Sequence, residues 1–196
     1  MIIQSTLMTG HKGVDLHAET AARVARRHLA GGEHLAALRR AEFHTFWHEA
    51  GAEAPESVAR LLDVGRFYNP NKHHFAHFEL EGAEAPWYRA AAPARGETLP
   101  AGWPGAVLRT DLTAADGVLD HLLGGPPASG AVAVDVAAFP LGEAGPLLSG
   151  VLWRLVFPAG TADAEALAAS LTQARSAREG LLVNPHMQGW RTALHR

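Results

Sequence analysis

Two segments of this chain recur in the same order, and that recurrence limits its possible folds more than any other feature. The stretch from Ala50-Gly51 to Leu61-Leu62 reads like Ala159-Gly160 to Ser170-Leu171, 109 residues later. Phe67-Tyr68-Asn69-Pro70 then recurs as Leu182-Val183-Asn184-Pro185, 115 residues on, with Phe75 answered by Trp190. The second copy therefore carries six extra residues in its helix. The Asn-Pro segment is compositionally unusual and weighs more than the Ala-rich one. Ordered recurrence predicts a tandem duplication.

A chain of 196 residues accommodates two small domains. Units of that size bury a modest share of their surface, so the two are expected to lean on each other. A net charge of −3 argues against a general nucleic-acid binder. No apolar run approaches the length needed to cross a membrane. Residues 1–10 lack the basic region and apolar core of a signal peptide, which makes cytoplasm the expectation. With no cysteine, thiolate chemistry and cysteine-based metal sites are excluded.

The expected boundaries are 1–81 for the first repeat, 82–104 for a linker and 105–196 for the second repeat. Pro86, Pro93, Pro100 and Pro104 favour extended chain in the linker. Trp87, Tyr88 and Trp103 would pin it to a surface. In the first repeat the pattern predicts a strand at 2–8, a helix at 16–29, a short helix from Pro55 to about Val64 and a strand at 74–80. Leu35 to Arg40 is helical on propensity, whereas Glu42 to His48 reads as strand. In the second, strands are expected at 107–112, 132–136, 151–157 and 188–194, with helices at 114–123 and from Asp163 to about Leu182. The order β-α-β-β-α-β describes a ferredoxin-like unit. The expected fold is thus α+β, two tandem ferredoxin-like units packed through their antiparallel sheets. Trp153, Leu155 and Phe157 alternate without polar partners and should be buried.

Lys12-Gly13-Val14-Asp15 before a helix, Leu38-Arg39-Arg40 before a strand, and Leu181-Leu182-Val183-Asn184-Pro185 before the last strand resemble the small subunit of phosphoribosylformylglycinamidine synthase. The chain departs from that family after Asp15, where Leu16-His17-Ala18 holds neither proline nor glycine. The resemblance implies a cytoplasmic, non-catalytic accessory subunit of purine biosynthesis, here as a fused pair, with no cofactor and no metal. Its partners would be the synthetase and glutaminase subunits, which it would bridge, and further homodimerisation stays open. The positions carrying the resemblance are Lys12, Gly13, Asn69, Pro70, Asn184 and Pro185.

The competing chemistry lies in the histidines. Strand alternation puts Glu42, His44, Phe46 and His48 on one face, and His73, Phe75, His77 and Glu79 on another. If those strands were neighbours with matched faces, His44, His48, His73 and His77 would converge with two carboxylates. Such a set suits zinc, iron or copper, and a metal- or haem-dependent dimeric α/β-barrel enzyme is the alternative. The plainer reading is hydrogen-bonded histidines at an interface. Asp135 and Arg154, on neighbouring predicted strands, are expected to form a cross-strand pair.

Overall fold

The computed structural model describes residues 2–50, 54–81, 95–113, 116–141 and 147–195. One eight-stranded sheet lies at the centre of the fold. The strands are β1 (Ile2–His11), β2 (Ala37–Glu49), β3 (His73–Glu81), β4 (Arg95–Thr98), β5 (Ala106–Thr110), β6 (Val132–Pro140), β7 (Leu147–Phe157) and β8 (Gln188–His195). The helices are α1 (Leu16–His28), α2 (Ala54–Asp63), α3 (Val118–Leu122) and α4 (Ala164–Thr172), and a 3-10 turn spans Gly32–His34. The α+β class stands.

The sheet order is β4-β8-β6-β7-β2-β1-β3-β5. Every pairing is antiparallel except β4 with β8. The two halves meet edge to edge, Ala37–Phe46 of β2 running against Leu147–Val156 of β7. This corrects the expectation of sheets stacked through their faces. Both faces are already covered by helices or loops, so the free edges are what remained to join. Leu35 to Arg40 is not helical: from Ala37 onward it is the start of β2, because pairing with β7 outweighs a weak local preference. The first half accordingly runs β-α-β-α-β, one strand short of the ferredoxin-like order. Nor does the 82–104 boundary separate two sheets, since β5 from beyond it pairs with β3 and β4 from within it pairs with β8. Trp87 and Tyr88 lie outside the described residues.

One face of the sheet packs Met8, Ala41, Phe43, Phe78 and Phe139 under Leu99 and the α3 residues Val118 and Leu122. The other face is divided. Over β6 and β7, Ala22 and Ala25 of α1, with Leu29 just after it, join Ala168 and Leu171 of α4 on Val134, Leu155 and Phe157. Over β1 and β3, Val58 of α2 sits on Leu7 and Phe75. Leu155 and Phe157 are fully buried as expected, whereas Trp153 is only half-buried, with the Arg40 guanidinium 5.8 Å from its ring centre.

The register makes the two halves comparable residue by residue. Leu7 pairs with His44 on one side and His77 on the other. Val136 pairs with Trp153 and Thr192. The first flanking pair, His44 and Trp153, lies 109 positions apart, and the second, His77 and Thr192, lies 115 apart. Those are the two offsets of the sequence recurrence. Because a one-residue slip would flip every side chain to the opposite face, this agreement is a stringent one.

Helix α4 ends at Thr172, ten residues before the expected end. The chain turns back on itself there: the amides of Leu181, Leu182 and Val183 donate to the carbonyls of Leu171 and Thr172. That supplies the partners a helix C-terminus lacks. Gly180 permits the return, with φ of 76° and a hypothetical Cβ only 1.7 Å from the Gln173 carbonyl oxygen. The six extra residues of the second half fall in this return.

Candidate functional site

The Asn-Pro segments form the same turn twice. Asn69 Oδ1 accepts from the Asn71 amide at 2.9 Å, and its carbonyl accepts from Lys72 and His73 at 2.9 and 2.8 Å. Asn184 Oδ1 accepts from the His186 amide at 3.0 Å, and its carbonyl from Met187 and Gln188 at 3.0 and 2.8 Å. Even the asparagine amides match: Asn69 donates to His73 Nδ1 at 3.3 Å, Asn184 to Gln188 Oε1 at 2.8 Å. Asparagine suits this place because its side chain imitates a backbone turn, and proline sets φ for the following position. Each turn delivers the chain into the strand next to a sheet edge, β3 or β8.

Of the six family-motif positions, the fold joins Lys12 to Pro70. Lys12 Nζ donates to the Pro70 carbonyl at 2.8 Å and lies 3.8 Å from Asp111, while the Lys12 amide bonds the Lys72 carbonyl at 2.8 Å. A Cβ on Gly13 would meet nothing within 4 Å, so packing does not demand glycine there. Asp15 caps α1, accepting from His17 and Ala18, and pairs with Arg40 at 3.4 Å. Asn184 and Pro185 belong to the other half. Large apolar side chains stand exposed beside both motif segments in sequence: Val14 and Leu16 next to Lys12-Gly13, Leu181 and Met187 next to Asn184-Pro185.

The four histidines do share a sheet face with Glu42 and Glu79, but they do not converge. Strand β1 lies between β2 and β3, and Leu7 separates His44 from His77. Strands spaced about 4.8 Å apart put alternate strands roughly 10 Å apart, with Leu7 between the two histidines. Among the described residues no group of three or more histidine, aspartate or glutamate side chains is arranged to hold a metal. His44 and His48 are each hydrogen-bonded to a serine instead. His44 Nδ1 meets Ser149 Oγ at 2.8 Å and its ring packs edge-on against Phe67. His48 Nε2 meets Ser5 Oγ at 3.1 Å, and Ser5 donates to Glu79 at 3.3 Å, a polar chain across three strands. His73 packs edge-on against His11 at 4.9 Å. His77 Nε2 lies 3.8 Å from Glu79, outside hydrogen-bond range.

Burial pushes the His44 imidazole down to about 4, against a weaker opposing pull from Glu42. His77 and His73 shift the same way for the same first reason, His73 helped by His11. These rings are therefore neutral at pH 7. His44 Nε2 and His77 Nε2 are buried without a hydrogen-bond partner. The less costly His44 tautomer carries its proton on Nδ1, donating to Ser149, and leaves a bare lone pair on Nε2.

Sequence reasoning understated the opposite sheet face. Arg154 forks onto Asp135 through Nε at 2.7 Å and Nη2 at 2.8 Å, and its Nη1 pairs with Asp120 of α3. His195 Nε2 adds a contact to Asp135 at 3.0 Å. Burial alone would raise the Asp135 carboxyl, but hydrogen bonds from Arg154 and His195 hold it below the usual carboxylate range. Bonding to Asp135 raises His195 despite partial burial. The Asp135–Arg154 pair was legible; Asp120 and His195 carried no signal, since neither is near the pair in sequence. The network lines a cavity of about 270 Å³, but Arg154 has its donors engaged on both carboxylates, which describes a tie between α3, β6, β7 and β8.

No family model, curated protein or solved structure matches this chain. Function has to be argued from the site. No helix among the described residues is long and apolar enough to cross a membrane.

Proposed function

We propose that this protein is a non-catalytic accessory subunit that bridges a synthetase and a glutaminase, as the small subunit of phosphoribosylformylglycinamidine synthase does, with two ferredoxin-like repeats fused in one chain. The observation that carries the reading is the repeated Asn-Pro turn, the most specific motif of the resemblance, built with the same hydrogen bonds in both halves. Fusion holds two copies at high effective concentration, so the paired form needs no association step. Exposed apolar side chains beside the motif segments suit partner surfaces. His44 and His77, separated by Leu7, and the serine hydrogen bonds of His44 and His48 favour this reading over a metal or haem enzyme.

The test is co-purification of the untagged protein with the synthetase and glutaminase subunits of its own organism, together with elemental analysis. The expected result is a complex containing both subunits, retained by a variant with His44→Ala and His77→Ala. Binding to neither subunit would overturn the bridging role. Stoichiometric zinc, iron or copper that disappears in the double variant would favour the enzyme instead.

A further inference from the structure

The second half contains a cavity of about 350 Å³ between α4 and the strands β6 and β8. Its floor is Val134 and Val136, one wall is Trp190, and α4 contributes Ala168, Thr172 and, at the rim, Glu165. The volume is roughly twice the 150 Å³ of an engineered apolar cavity known to accept benzene, so a bicyclic ring fits. The space is not a general consequence of the architecture. In the first half the matched strand positions are Leu7 and Phe75, and Tyr68 packs edge-on against Phe75 with ring centres 5.2 Å apart. Position 183, which corresponds to Tyr68, is valine. The second half thus has the larger Trp190 ring in place of Phe75 and the smaller Val136 in place of Leu7, while Val183 stands outside the cavity lining.

Two polar features mark the lining. Thr172 is buried, and its Oγ1 has no hydrogen-bond partner. Such a group is costly to leave unmet and invites an explanation. Glu165 is exposed at the rim and is the ionisable residue among those lining the cavity. An apolar pocket with an aromatic wall and a few placed polar groups is the usual make-up of a small-molecule site. We propose that this cavity binds a small aromatic cation of the arylalkylamine class. Its ring lies against Trp190, and its ammonium group faces the Glu165 carboxylate. The inference does not depend on the accessory role.

The probes are tryptamine and its uncharged core, indole, titrated into the full chain while the indole N–H resonance of Trp190 is followed by NMR. A Trp190→Phe variant assigns that resonance. The expected result is a saturable shift with tryptamine at millimolar concentration or below. Ala169→Leu, at an exposed α4 position lining the same cavity, should abolish it without unfolding the protein. Glu165→Gln should weaken tryptamine about threefold to fivefold, the range of an exposed charge contact, and leave indole unchanged. No shift of the Trp190 resonance, or a shift that survives Ala169→Leu, would overturn the site. Equal weakening of tryptamine and indole by Glu165→Gln would overturn the assignment to cations.

Discussion

Where the first half pairs Thr6 with Thr45, the second pairs Asp135 with Arg154. Both pairs are buried, both lie across the central strand and the strand that joins the halves, and the register makes them equivalent. The first is one hydroxyl–hydroxyl contact at 2.9 Å. The second is a two-pronged ion pair extended to Asp120 and His195. On the opposite face the contrast is inverted: Leu7 lies between His44 and His77, and Val136 between Trp153 and Thr192. One backbone frame therefore supports polar and apolar solutions on either face. Register is what the halves share, and side-chain chemistry is where they have diverged.

The largest expected difference is at the ion pair. Asp135→Ala leaves the Arg154 guanidinium buried beside a lost partner and should cost about 3–5 kcal/mol in denaturant unfolding. Thr45→Val, at the slot equivalent to Arg154, removes one neutral hydrogen bond and should cost about 1–2 kcal/mol. Equal losses would contradict the claim that the two slots have diverged in chemistry. Phe157 and His48 make the same comparison on the other face. Phe157→Ala should cost about 3–5 kcal/mol because the ring is fully buried, and His48→Ala, part-exposed, about 1 kcal/mol.

Acid should weaken the first half selectively. His44 is neutral when folded down to a pKa of about 4, whereas an unfolded histidine protonates near 6.5. Its contribution is fully present above pH 6.5 and is lost as pH falls towards 4, about 3 kcal/mol in all. His77 and His73 shift in the same direction. His195 has the opposite sign: raised by Asp135, it stabilises below its unfolded pKa, and that contribution fades as pH rises through its folded value. Unfolding free energy measured from pH 7 to pH 4 should fall less steeply in His44→Phe than in the parent chain. An unchanged slope would contradict a buried, neutral His44. The smallest effects belong to the shared turn. Asn69→Ala and Asn184→Ala should each cost about 1 kcal/mol, and similarly, because each removes the same side-chain contact.

Much of this frame was legible in the sequence, and the exceptions have physical causes. The alternation of Val151, Trp153, Leu155 and Phe157 marked β7 because β-branched and aromatic side chains of one period suit a strand. The starts of α1 and α4 followed from helical periodicity, and the structure adds that Asp15 accepts from the His17 and Ala18 amides and Asp163 from the Ala166 amide. Where α4 ends was not legible: its carbonyls are capped by a returning chain whose path depends on tertiary contacts. The shared face of the histidines followed from alternation, but their separation did not, because strand order places β1 between them and no local pattern encodes that order. The orphaned His44 and His77 nitrogens and the Trp190 cavity likewise arise from what packs above the sheet.

The most direct test of the account is the strand register, read from long-range backbone NOEs in the intact protein. The expected contacts join Leu7 to both His44 and His77, Val136 to both Trp153 and Thr192, and Ala41 to Leu152 where the halves meet. A register shifted by even one residue in either half, or the absence of contacts between β2 and β7, would contradict the claim that two equivalent halves share one sheet.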